Sequence, residues 1–164
     1  MEKTIEVMFR LFDKGWALVS SGTPEDFNTM TVSWGSLGTL WSTRIVTVYI
    51  KPCRYTHQFM EKNGCFTVSF FDEEYRRDLS VLGSKSGRDV DKVALTSLEP
   101  VSIGESVGFK QARATILCRK IYQHDFQLGK IPDRAIERYY QQEEPHTMYI
   151  GEVIDVIFAG EENQ

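Results

Sequence analysis

No run in this sequence approaches the roughly 20 apolar residues that a membrane-spanning helix needs, so no membrane partner is expected. Cysteine is scarce. Cys53, Cys65 and Cys118 are an odd set with no close pairing, which suits a reducing, cytoplasmic setting with free thiols rather than a disulfide framework. Met1 to Arg10 alternates charge with apolar side chains and holds no cleavable hydrophobic run, so no signal peptide is read there. The cysteines and His57, His124 and His146 do not fall at paired ligand spacings, and no metal site is expected. Basic excess is missing too. Lys and Arg number 19 against 23 Asp and Glu, a net charge of −4, whereas nucleic-acid binding depends on neutralising many phosphates.

Several catalytic signatures are absent. No G-x-G-x-x-G joins a strand to a helix, and no Gly-Lys-Ser/Thr closes a Gly-rich turn. The nearest approach to G-x-S-x-G, Gly83 to Gly87, puts Lys85 at the nucleophile position. His57 follows Cys53 by four residues, but that spacing is better explained by a small, half-buried thiol than by a nucleophile. No catalytic residue is named.

What remains is an ordinary globular balance. The 164 residues are 41% hydrophobic and 26% charged, which suits one domain spanning 1–164. Ile5, Met8, Phe9 and Phe12 recur at helical spacing, predicting a helix from Thr4 to Phe12. Trp16 to Ser20 reads as a strand closed by the turn Gly22 to Asp26. Asn28 to Trp34 alternates cleanly, with Met30, Val32 and Trp34 on one face and Thr29, Thr31 and Ser33 on the other. Gly35 to Thr43, rich in Gly and Ser, reads as loop. Ile45 to Ile50 is a covered strand stopped by Pro52. Thr56 is expected to cap a helix running to Lys62, with Gly64 as its exit. Further strands are expected at Cys65 to Phe71, Lys110 to Tyr122 and Tyr149 to Phe158, the last interrupted by Gly151. Helices are expected from Glu73 to Leu82 and after Pro132, and a polar tail from Gly160 to Gln164. Strands outnumber helices without a regular βαβ alternation. The fold class is therefore mainly β, a β-barrel with flanking helices.

Three constellations carry chemistry. The strand Asn28 to Trp34 has hydroxyls on one face and large apolar groups on the other, so it can serve a planar heterocycle or simply be a half-buried barrel strand. At Lys51-Pro52-Cys53-Arg54-Tyr55-Thr56, two cations meet a helix N-terminus, whose free amides and dipole favour an anion; the Arg54 fork suits phosphate. Ser84 to Lys92 joins small residues to cations and can close over a phosphate, or be a plain surface turn.

Taken together, these segments resemble the flavin-reductase-like family with the FMN-binding split-barrel fold, and within it the flavoredoxin-type branch. The resemblance runs over nearly the whole chain in family order: Gly15 to Val19, Asn28 to Gly35, Lys51 to Thr56, Ser86 to Lys92 and His146 to Val153. It implies a homodimer holding FMN near the subunit interface, with NAD(P)H as hydride donor and a further acceptor, possible as an electron-acceptor protein. Under it, Asn28, Met30, Thr31, Val32, Ser33 and Trp34 border the flavin ring. Lys51, Arg54, Tyr55 and Thr56 hold the phosphate, while Ser86 and Lys92 close on the cofactor. His124 and Phe158 are further candidates near the ring. Cys53 departs from the small hydroxyl residue usual at its position. An FMN electron carrier reduced by a partner protein, a flavin-free binding barrel and a pyridoxine-phosphate-oxidase-like activity stay open as alternatives.

Overall fold

The computed structural model describes residues 1–160, so the polar tail from residue 161 onward lies outside the described residues. Seven antiparallel strands form one sheet in the order β2-β1-β5-β8-β9-β4-β3. In chain order these are β1 (Ala17–Thr23), β2 (Asp26–Val32), β3 (Gly35–Leu40), β4 (Thr43–Ile50), β5 (Cys65–Phe70), β8 (Ala114–Asp125) and β9 (Thr147–Phe158). β6 (Pro100–Ile103) and β7 (Ser106–Phe109) make a separate hairpin. The helices are α1 (Glu2–Asp13), α2 (Tyr55–Lys62), α3 (Arg76–Ser84) and α4 (Asp133–Tyr139).

The sheet curls into a barrel because its apolar faces share one core. Val19, Met30, Val32, Val46, Val48, Ile50, Phe66, Val68, Ile116, Cys118 and Tyr149 form a single buried cluster, with Leu37 packed against it. Strands from both ends of the sheet order thus meet at the same interior. The end strands β2 and β3 are joined only by Ser33 and Trp34. They come together there and diverge beyond it. This is the split of a split barrel.

β3 enters its ladder at Gly35, opposite Val48, so the end of β4 beyond Val48 has lost its β3 partner. β2 is the other edge, with no strand on its outer side. Between these two bare edges lies a cleft. A second apolar layer, Leu18, Leu79, Leu82, Leu98 and Phe109, seats α3 outside β1 and β2. Gly83 lets α3 approach closely, since a Cβ there would lie 3.2 Å from Thr31 Cβ.

Several expectations are corrected. Gly35 to Thr43 is not loop but β3, its turn and the start of β4; Gly35 is small because the Phe12 ring lies 2.5 Å from where its Cβ would be. Gly151 does not interrupt β9. It makes room for Phe66 and Cys118, each within 2.6 Å of a would-be Cβ. Thr56 is not the cap of α2: Arg54 occupies that position and no side chain caps the helix. The β6–β7 hairpin was not foreseen.

Candidate functional site

The cleft holds two adjoining cavities that share Met30 and Arg54. One, of about 330 Å³, lies along β2 from Met30 to Trp34 and is closed by Tyr49, Lys51, Glu143 and His146. The other, of about 300 Å³, sits at the N-terminus of α2. Its walls are Asn28, Cys53, Tyr55, Thr56, the turn from Ser84 to Asp89, and Lys92. All twelve residues singled out in the sequence therefore line one or other of these two adjoining cavities. Neither His124 nor Phe158 does: His124 is exposed and stacks on Tyr122, and Phe158 pairs with Ala114 at the far end of β9.

The cavity at α2 has the chemistry of an anion site. With no side-chain cap, the first amides of α2, at Tyr55 and Thr56, lack intrahelical partners and form the positive end of the helix dipole. The Thr56 hydroxyl, buried, accepts from Asn28 Nδ2 at 2.8 Å, which fixes Asn28 across the cavity. Arg54 is exposed and spends one N–H on the Gly83 carbonyl at 3.3 Å, leaving the rest of its fork available. The turn after α3 folds over this end. Arg88 donates to the Cys53 carbonyl at 3.0 Å and lies over the Tyr55 ring, and the Ser86 hydroxyl accepts from the Arg88 amide. Gly87 is pressed so close to Asn28 that a Cβ would sit 2.2 Å from its Oδ1.

Lys92 is the unusual member. Only 5% exposed, it donates through Nζ to the carbonyls of Leu82 at 2.9 Å and Lys85 at 3.2 Å, at the end of α3. Burial, aided by the nearby Arg54 charge, lowers its pKa to about 8.

The cavity along β2 is walled by rings. Trp34 leaves β2 half-exposed and meets Tyr139 at 5.1 Å and His146 at 5.3 Å. Met30 and Val32 turn their side chains into the core, so their contribution to the cleft is main chain on the bare edge of β2. The Thr31 hydroxyl donates to the Leu79 carbonyl at 2.5 Å and so secures α3 against β2. Lys51 is not a free cation. Its ammonium pairs with Glu143 and donates to the Tyr139 carbonyl at 2.8 Å, lashing the segment after α4 to the end of β4. That hydrogen bond holds the Glu143 carboxyl below its usual range. His146, 7% exposed, receives or gives one hydrogen bond at Nδ1 with the Tyr140 hydroxyl, 2.7 Å away. Burial and the Lys51 charge lower its pKa to about 4, against an opposing Glu143, so it is neutral at physiological pH. Tyr49 and Glu143 were missed in the sequence because nothing local marks them; only the three-dimensional approach of α4 and β9 to β4 brings them in.

Residues 8–164 match the Flavin reductase like domain family. The chain belongs to that family. This flavin reductase like domain is 26% identical over 144 residues to an uncharacterized protein of Pyrococcus abyssi, covering 88% of this chain and 73% of the relative. It superimposes on an FMN-binding protein from Thermus thermophilus with bound p-hydroxybenzaldehyde at a TM-score of 0.70 and 23% identity, covering 88% of this chain and 71% of the other. The flavoredoxin of Desulfovibrio vulgaris (Miyazaki F) gives 0.69 at 22% identity, covering 88% and 69%. At such identities the structural likeness speaks for the fold of the flavin reductase like domain, which is the mainly β barrel described above. No helix among the described residues is long and apolar enough to cross a membrane.

Proposed function

We propose that this protein is an FMN-dependent oxidoreductase that takes a hydride from NADH or NADPH and passes electrons to a further acceptor. The observation that carries this reading is the shape and polarity of one cleft: an amide-rich, cationic end at α2 continues, through Met30 and Arg54, into a ring-walled end along β2. A flat head bearing an anionic tail suits such a place. The cavities are of the size that cofactor sites commonly have, roughly 300 Å³ and above.

The chain's residues fit FMN. The uncapped amides of Tyr55 and Thr56, with Arg54, Ser86 and Lys92, would hold the phosphate. The main chain from Met30 to Ser33 would meet the ring edge, where the unpaired edge of β2 supplies donors and acceptors that a paired strand would not. Trp34, Tyr49 and His146 would wall the ring from water. When bound, the flavin itself supplies the hydride-accepting centre, so the protein's work is to bind, orient and tune. Neutral His146, its Nδ1 occupied by Tyr140, keeps Nε2 for the cleft. Lys51 orders this wall by tying down Tyr139 and Glu143.

The same reading includes a homodimer in the cytoplasm. Ile5, Met8 and Phe9 fall on one face of α1 and are exposed, an apolar stripe suited to a second copy, and all three cysteines are free thiols. Sedimentation showing monomer alone at micromolar concentration would remove the dimer.

The deciding experiment is anaerobic stopped-flow mixing of FMN-loaded protein with NADH and with NADPH. Rapid bleaching of the visible flavin band by either supports a reductase. Slow or absent bleaching by both, with rapid reduction by a reduced protein donor, would make it an electron carrier.

A further inference from the structure

Between β8 and β9 the chain leaves the sheet, from Phe126 to Pro145, and returns at His146. No side chain on this excursion is buried, and none belongs to the three apolar clusters. Among the described residues its backbone hydrogen bonds are local, as in Ile131 to Leu128 and Tyr140 to Ile136. The exception is the Phe126 amide, which donates to the His146 carbonyl at 2.9 Å where the ladder ends. A segment with so little apolar burial opens at low cost.

Yet this segment walls the ring end of the cleft. Glu143 lines that cavity together with Met30 to Trp34, and Tyr139 meets Trp34 edge-on at 5.1 Å, which bridges α4 to the end of β2. What holds the segment there is chiefly one side chain. Lys51, just past the end of β4, pairs with Glu143, donates to the Tyr139 carbonyl at 2.8 Å and lies 5.4 Å from the centre of the Tyr140 ring. A second tie joins the Tyr140 hydroxyl to His146 Nδ1 at 2.7 Å. Lys51 is thus spent on the excursion, although its charge type and its place beside Arg54 suit an anion site.

We propose that the excursion from Phe126 to Pro145 is a lid on the ring end of the cleft, clasped shut by Lys51 and Glu143, and that this clasp sets how fast a flavin enters and leaves. This rests on the flavin reading above and adds to it what governs exchange of the cofactor. A flat ring cannot pass between Trp34 and Tyr139 while they touch, so the excursion must lift. Lifting breaks the bonds to Lys51 whether the cleft is empty or filled. The clasp therefore raises the barrier in both directions and cancels in the affinity. A contact made only with bound flavin behaves otherwise: its loss speeds departure alone.

The test is stopped-flow fluorescence of the full chain with FMN, which gives association and dissociation rates separately. Glu143→Gln keeps the shape of the side chain and removes the ion pair. Both rates should rise together by roughly fivefold, the upper end for an ion pair near the surface, since the Lys51 side chain is only 18% exposed. Their ratio, and so the affinity, should stay unchanged. Tyr139→Ala loosens the Trp34 contact without touching charge and should raise both rates by a similar factor. A rise in the dissociation rate alone, in either variant, makes the segment a fixed wall and overturns the proposal. Faster association in Glu143→Gln with none in Tyr139→Ala assigns Glu143 to charge repulsion against the phosphate and overturns it too, as does no change in any rate. These results leave the flavin reading intact. Wild-type protein that binds no FMN overturns that reading itself.

Discussion

At the scale of single residues, Arg54 and Gly87 carry the most direct consequences. Arg54 belongs to both halves of the cleft and makes only one long internal hydrogen bond. Arg54→Ala should therefore leave the fold intact and remove a charge-assisted phosphate contact. Such a loss costs about 1.5–3 kcal/mol, or roughly ten- to a hundredfold in FMN affinity by fluorescence titration. Unchanged affinity would remove Arg54 from the phosphate site. Gly87→Ala acts without touching charge. Its Cβ would meet Asn28 Oδ1 at 2.2 Å and the Tyr55 ring at 3.2 Å, so the turn must back away from α2. About tenfold weaker FMN binding, near 1.4 kcal/mol, is expected with little change in thermal midpoint, because the turn adds no side chain to the buried apolar clusters. Much of this was legible in the sequence: hydroxyl, amide and cationic residues stood at the right junctions, and the family order tied them together. What each side chain does was not. Thr31, Thr56 and Lys51 all have the types expected of ligand groups, yet their polar atoms are engaged by Leu79, Asn28 and Glu143, partners 28 to 92 residues away in the chain.

At the scale of elements, the β3–β4 hairpin carries an unexpected strain. Its two-residue turn is Trp41-Ser42, with φ of 50° and 60°, in a conformation that favours Asn-Gly. Trp41 is 71% exposed, so it gains no burial within the chain. The double change Trp41→Asn with Ser42→Gly should stabilise the protein by about 1 kcal/mol, seen as a higher urea midpoint. A lower midpoint would mean the tryptophan packs usefully in the assembled protein. This turn also explains why β3 was hidden. Gly35, Ser36 and Gly38 read as loop residues, but Gly35 is set by the Phe12 ring and the strand is held by pairing with β4. The β6–β7 hairpin was invisible for another reason: four-residue strands carry too little alternation, and theirs is secured by distant groups, such as the Thr67 hydroxyl donating to the Val107 carbonyl. By contrast β2, β4 and β5 are long enough, and buried enough on one or both faces, for periodicity alone to show them.

At the scale of the whole molecule, the cleft couples to stability through His146. Its folded-state pKa, about 4, lies below the ordinary imidazole value near 6.5. The unfolded chain therefore binds the proton first. The stability that neutral His146 brings is complete above about pH 6.5 and is lost progressively as pH falls toward 4, to a total of about 3 kcal/mol. Urea midpoints at pH 7 and pH 4.5 should differ accordingly, and His146→Gln should shrink the difference. An equal difference in that variant would assign the acid sensitivity to other groups.

The barrel's topology is what places the cleft: the sheet fails to close beyond Gly35, and the bare edges of β2 and β4 face the N-terminus of α2. A crystal structure of the protein grown with saturating FMN tests this most directly. The phosphate should lie within hydrogen-bonding reach of the Tyr55 and Thr56 amides and of Lys92, with the ring along Met30 to Trp34. FMN bound elsewhere, or a cleft without it at saturating concentration, would contradict the proposal.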